Sequence, residues 1–189
     1  NNPHGACPDC DGIGARLFFD PDLIVPDEEL SLREGAIEPW ERRGSPFYQV
    51  QLEALATHLG FDMLAPWHSL PAKVRKAVLH GLGGDDSDAG GKGDGAALPG
   101  GNAGPELELS VEKNGVRQTL RKEFEGVIPN LERRLAEYER RRREEAASRG
   151  GFAAEGIEAA YEEFHRYMNQ SPCEGCGGTR LRKEARFVR

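Results

Sequence analysis

The sequence predicts an α+β fold: a helical domain carrying a small β-hairpin, closed at its base by four cysteines. Three observations carry that prediction. Apolar residues recur at helical spacing in four segments. One stretch alternates at strand spacing around an Asn-Gly turn. Two C-x-x-C pairs stand near opposite ends of the chain, where a shared partner would join them.

Taken in order, residues 1–16 form a cysteine knuckle, and residues 17–45 predict short extended pieces interrupted by Pro21, Pro26 and Pro39. The first helix is predicted from Pro46 to His58. Tyr48, Leu52, Leu55 and Leu59 fall on one stripe, and Gly60 stands where a C-terminal glycine is expected. A second helix is predicted from Pro71 to Leu82, capped by Ser69, with Val74, Val78 and Leu82 inward. Gly, Asp, Ala and Pro dominate residues 83–105, and Leu98 is the one large apolar side chain among them. Such a stretch buries too little surface to offset its ordering entropy, which predicts a disordered loop. Leu107, Leu109 and Val111 then alternate as a strand, Asn114-Gly115 predicts the hairpin turn, and Val116 to Leu120 return. Two more helices are expected. Ile128 to Ser148 has Leu131, Leu135 and Tyr138 on its apolar side. Ala153 to Met168 has Ile157, Tyr161, Phe164 and Met168, with Pro172 as the stop. The predicted organisation is therefore a module half at 1–16, a domain at 17–168 and a second module half at 169–189.

At 189 residues, 38% hydrophobic and 30% charged, the chain has the size and balance of a soluble domain with a true core. No apolar run approaches the roughly 20 residues a membrane span needs. Nothing suggests secretion, so no membrane partner and a cytoplasmic location are expected. The chain starts at Asn1, which predicts a fragment or a processed product. A net charge of −7 excludes nucleic-acid binding by bulk positive charge and leaves only local contacts. Catalytic constellations are not found. Gly90-Gly91-Lys92-Gly93 lacks the spacing and the Ser or Thr of a phosphate loop, and His58, His68, His80 and His165 stand apart from any nucleophile. The chain by itself is not expected to be an enzyme.

The chemistry lies in Cys7, Cys10, Cys173 and Cys176. Each C-x-x-C presents two thiolates from one tight turn, the bite that tetrahedral zinc accepts. Both pairs share the form C-x-x-C-x-G-x-(G/R), ending at Gly14 and Arg180. Either each pair is half of a separate site or the two share one ion. Closing the loop of 162 intervening residues costs about 4–5 kcal/mol. A structural zinc contributes roughly 10–16 kcal/mol. The expectation is one structural four-thiolate Zn2+ site; His4 is a further donor nearby.

Two arginine-rich stretches stand against the acidic whole. Arg133, Arg134 and Arg140 to Arg143 lie on one predicted helix among Glu132, Glu137, Glu139, Glu144 and Glu145, which can pair with them. Arg180, Arg182, Lys183, Arg186 and Arg189 follow the last cysteine. Arg180, Arg182, Lys183 and Arg186 are either a local phosphate contact or a simple structural tail, and Arg140 and Arg143 are read first as solvated surface and second as phosphate contacts; these six are the candidates for any local nucleic-acid contact.

The run Asn2-Pro3-His4-Gly5-Ala6-Cys7-Pro8-Asp9-Cys10-Asp11-Gly12-Ile13-Gly14 resembles the zinc knuckle of the UvrA family, the damage-sensing ATPases of bacterial nucleotide excision repair. Further matches follow in order. They are Leu30-Ser31-Leu32, Gly35-Ala36-Ile37 with Trp40, Pro66-Trp67, Glu125 to Arg134, and Cys173 to Ala185. The resemblance implies an internal piece holding the family's insertion domain and the zinc module at its base. It supports pairing Cys7 and Cys10 with Cys173 and Cys176, although the family also has an upstream cysteine pair that Cys7 and Cys10 can serve instead. It further implies a non-catalytic arm of an ATP-driven protein whose ATP sites lie outside this chain. The implied partners are duplex DNA with lesions, UvrB and a second UvrA subunit. Two rivals remain: a DnaJ-like zinc module that binds unfolded polypeptide, and a structural arm that contacts only protein. The DnaJ-like repeats come in four, against two here.

Overall fold

The computed structural model describes residues 5–10, 12–83, 106–113, 116–148, 162–182 and 184–185. Among these the fold is α+β, with two separate two-stranded antiparallel sheets and helices packed against both.

The first sheet pairs β1 (Ala15–Phe19) with β4 (Met168–Pro172), in register from Ala15 opposite Pro172 to Phe19 opposite Met168. This ribbon brings distant parts of the chain side by side directly behind the cysteines. Its inner end is tied by Asp20, whose backbone N–H donates to the Tyr167 carbonyl (2.9 Å). The Asp20 carboxylate accepts from Asn169 (3.1 Å) and from the Asp22 N–H (3.0 Å), capping α1 (Pro21–Ile24).

Here the structure departs from the expected extended pieces. Pro21 and Pro39 each sit in the first turn of a short helix, α1 and α2 (Glu38–Glu41). Proline's missing N–H is an orphan there in any case, so it starts a helix as readily as it interrupts a strand. Between them Ser31 is almost fully buried. Its N–H and hydroxyl donate to Glu34 (2.9 and 2.7 Å), and its hydroxyl accepts from the Glu34 N–H (3.2 Å). Those bonds hold the Glu34 carboxyl below its usual range.

Helix α3 (Pro46–Leu59) forms as predicted and ends at Gly60 in the left-handed region (φ 71°). Leu52 and Leu55 are buried, with Tyr48 and Leu59 half-buried beside them. Trp40 lies flat on Tyr48 (4.5 Å, 10°) and edge-on to Phe124 (6.2 Å), linking α2 to α3 and to the end of the hairpin. The hairpin pairs β2 (Glu106–Lys113) with β3 (Val116–Glu123); β3 starts at Val116 as predicted and runs three residues past Leu120, and α3 packs on β2. Leu107 and Leu109 face the core, whereas Leu120 is half-exposed.

Helix α4 (Ala72–His80) begins one residue late, without the expected cap, and ends two residues early at Gly81, so Leu82 lies beyond it. Ser69 instead donates its hydroxyl to the Pro66 carbonyl (2.7 Å), closing a 3-10 turn at Trp67–Ser69, and Pro71 takes the cap position. Helix α4 packs on α5 (Val127–Ser148), where Leu131 is buried and Leu135 and Tyr138 are half-buried. The last predicted helix is corrected at its end. Residues 162–165 are helical, but Met168 opens β4, and Pro172 ends that strand rather than stopping a helix. Pairing with β1 supplies the backbone partners that a continued helix would have supplied. Phe164 still points inward, edge-on to Tyr138 (5.5 Å) and Phe19 (6.4 Å). The predicted disordered loop (apart from Gly83), the Asn114-Gly115 turn, the first part of that last helix and His4 lie outside the described residues.

The α4–α5 junction is closed by two glycines. Gly81 and Gly126 both have φ 88°, and a Cβ on Gly81 would stand 2.6 Å from the Glu125 carbonyl oxygen. A Cβ on Gly126 would collide with the backbone at His80 and Gly81. Beside them Glu125 accepts from Arg133 (2.9 and 3.1 Å) and from Asn130 (2.5 Å). Burial works to raise the Glu125 carboxyl, and these partners outweigh it and hold it low. Gly81→Ala or Gly126→Ala should therefore cost about 3 kcal/mol or more in urea unfolding. Gly44→Ala, where a Cβ meets nothing within 4 Å, should cost only about 1–2 kcal/mol from its positive φ. Equal losses at the three positions would remove the backbone contact from this account.

Candidate metal centre

The ribbon delivers two short loops, Cys7–Gly14 and Cys173–Arg180, that lie against each other as near-twofold copies. In each, the N–H three residues past the second cysteine donates to that cysteine's carbonyl: Ile13 to Cys10 (2.8 Å) and Thr179 to Cys176 (3.1 Å). The next N–H donates to its sulfur: Gly14 to Cys10 Sγ (3.2 Å) and Arg180 to Cys176 Sγ (3.4 Å). The carbonyls of those same two residues reach across to the opposite loop. Arg180 accepts from the Cys7 N–H and Gly14 from the Cys173 N–H, each at 3.0 Å.

One residue must therefore turn its N–H to its own sulfur and its carbonyl to the other knuckle. Both residues that do so have positive φ, Gly14 at 86° and Arg180 at 68°. Glycine takes that conformation freely; an L-residue does so at a cost of about 1–2 kcal/mol. Gly14 has a second reason to lack a side chain, since its Cβ would meet Arg180 Cγ at 2.7 Å. Arg180 lies across it. Among the described residues Arg180 alone has positive φ without being glycine.

The four cysteines are buried and form a cluster apart from the main core. Their sulfurs all lie within 4.8 Å of one another, and Cys10 and Cys176 are 3.8 Å apart. Zinc–sulfur bonds of about 2.3 Å in a tetrahedron separate the sulfurs by about 3.8 Å. The donor set thus fits a closed four-thiolate zinc site. Without a metal, burial pushes the Cys7 thiol up to about 11. Burial also works to raise Cys176, but the Arg180 N–H, the Cys10 and Cys173 thiols and the Gly178 N–H outweigh it, leaving Cys176 at about 7.

Of the predicted basic residues, Arg180 and Arg182 are exposed on this module, and Arg182 donates its N–H to the Gly5 carbonyl (3.1 Å). The chain is extended only briefly here, with Ala6 bridging Leu181 and a 3-10 turn at residues 184–185. Lys183 and Arg186 lie outside the described residues. Arg140 and Arg143 are exposed on α5, facing Glu144 (3.8 Å) and Glu139 (3.7 Å) one turn away. The structure does not bring them together with the knuckle arginines in any described contact.

Residues 20–97 match the family model described as the UvrA DNA-binding domain. The chain is 38% identical over 188 residues to UvrABC system protein A of Neisseria meningitidis serogroup A / serotype 4A (strain DSM 15465 / Z2491). It is 38% identical over 189 residues to that of Escherichia coli (strain K12), and both alignments take in 100% of this chain. It belongs to the UvrA family. The chain spans 16% of the length of each of these UvrA relatives. A crystal structure of UvrA2 from Deinococcus radiodurans superposes with a TM-score of 0.58 over 97% of this chain and 19% of that one; at 21% identity the likeness is one of fold.

The sequence pattern had aligned Gly14 with Arg180; that the arginine repeats a glycine's backbone geometry emerged only from the fold. Arg180→Gly should raise the stability of the folded chain by about 1 kcal/mol through relief of its positive φ. Thermal unfolding checks this, and a loss of stability would mean that the arginine side chain holds the knuckle closed.

Proposed function

We propose that this chain is a DNA-contacting arm of a UvrA protein in nucleotide excision repair, set on one structural zinc ion held by Cys7, Cys10, Cys173 and Cys176. The observation that carries the proposal is the convergence of four buried sulfurs within 4.8 Å, from loops that hydrogen-bond to each other reciprocally. Such a site has no open coordination position, so the ion supplies cross-linking rather than catalysis. It closes the arm at its base. In this division residues 1–16 and 169–189 are the two halves of the zinc module, and residues 17–168 are the insertion domain.

The reason to place DNA here is Arg180. An arginine stands where the companion knuckle has glycine, at a conformational cost, exposed beside Arg182. Planar guanidinium groups on a rigid loop suit phosphate oxygens. Lys183 and Arg186 extend the cluster in sequence. Arg140 and Arg143 add further contacts by exchanging a glutamate for a phosphate. Damage recognition, ATP turnover, dimerisation with a second UvrA subunit and delivery of UvrB belong to the cytoplasmic parent, with the arm helping to hold lesion-bearing duplex.

Elemental analysis of the monomeric chain should find one zinc per chain, lost in Cys10→Ser or Cys176→Ser. Protons compete for the thiols, so uptake should release protons and affinity should rise with pH. Zinc found only in dimers would mean that each knuckle is half of another site. Arg180→Gln and Arg182→Gln should each weaken duplex binding and reduce the salt slope of log K by about 1. An unchanged slope would take these arginines out of the interface.

A further inference from the structure

We propose that Ile13 is an apolar wedge that enters the base stack of duplex DNA held by the knuckle arginines. The proposal rests on the DNA-contact reading above and adds a part to it. Ile13 is 68% exposed, the highest value among the exposed large hydrophobic residues described. It is also fixed in place. Its own N–H is bonded to the Cys10 carbonyl (2.8 Å), and the next N–H, that of Gly14, to the Cys10 sulfur (3.2 Å). The knuckle thus presents a β-branched apolar side chain to solvent on a backbone that cannot retract it.

The companion knuckle separates what the fold needs from what it does not. Thr179 stands at the same position and makes the same backbone bond to its cysteine. It spends its hydroxyl on the Cys176 carbonyl (2.7 Å). A polar residue tied back into the loop therefore satisfies the knuckle, and isoleucine at position 13 contributes nothing to it. The surroundings name the occupant. Arg180 packs across Gly14, the neighbour of Ile13, so the arginine lies one residue along the chain from the exposed apolar side chain. The nearby carboxylate of Asp9 is turned away, toward Cys7 and Gly175. Phosphate at the arginine brings the base edges to the isoleucine. Apolar side chains inserted between base steps unstack them at a cost of a few kcal/mol, least where pairing is already disturbed. A wedge beside a phosphate clamp thus discriminates disturbed duplex from intact duplex by how readily a step opens.

The test uses the zinc-loaded chain and duplexes carrying 2-aminopurine, either fully paired or beside a mismatch. Binding should raise 2-aminopurine fluorescence, more strongly at the mismatch. Ile13→Ala and Ile13→Thr should abolish that rise and reduce preference for the mismatched duplex by about fivefold or more. Both should leave the salt slope, zinc content and melting temperature unchanged, while Ile13→Leu restores the fluorescence rise. Arg180→Gln should do the reverse, lowering the slope on every duplex. If both Ile13 variants bind and unstack as the parent does, the wedge is wrong and the phosphate contact survives. If no duplex binds, the DNA reading itself falls and the wedge falls with it.

Discussion

The structure depends on the pairing of β1 with β4. Five residue pairs, from Ala15–Pro172 to Phe19–Met168, bring segments some 150 residues apart into register. A two-stranded ribbon alone is marginal in water. This one is held at both ends: on the inside by Asp20 with Tyr167 and Asn169, on the outside by the crossed bonds of the two knuckles. The knuckles need the ribbon to meet, and the ribbon needs the knuckles to stay closed. Four sulfurs within 4.8 Å are the outcome of that mutual dependence.

The same logic explains why the knuckle geometry tolerates one arginine and not two. Gly14 and Arg180 perform identical backbone work, but the space above Gly14 is already filled by the Arg180 side chain. A second side chain would have to displace the first. The two knuckles are therefore not equivalent: one carries Arg180, and the other carries the glycine it covers and the exposed Ile13.

Much of this was legible in the sequence, and what was not has identifiable causes. The stripe of α3 and its Gly60 stop could be read because period and terminator agree. The cysteine cluster could be read because a repeated spacing at both ends has few other meanings. Met168 misled because it falls at helical spacing from Phe164, and only the presence of β1 as a partner turns it into a strand residue. Ser69 misled because a serine before a helix has two uses, and closing the preceding 3-10 turn was the one taken. Pro21 and Pro39 misled because proline punctuates strands and opens helices alike. The positive φ of Arg180 could not be read, since nothing local to an arginine announces it.

The closed ribbon also has a mechanical consequence. Tension entering near Gly5 and leaving near Ala185 meets the Arg182–Gly5 and Cys7–Arg180 hydrogen bonds before it reaches β1 or β4. Past those, the strands would have to unzip from Pro172 inward, one pair at a time. The α3–hairpin core and the Gly81–Gly126 junction lie beyond the last pair and carry none of that load. A pull applied at these two ends therefore leaves the α3–hairpin core unstrained for as long as the ribbon holds.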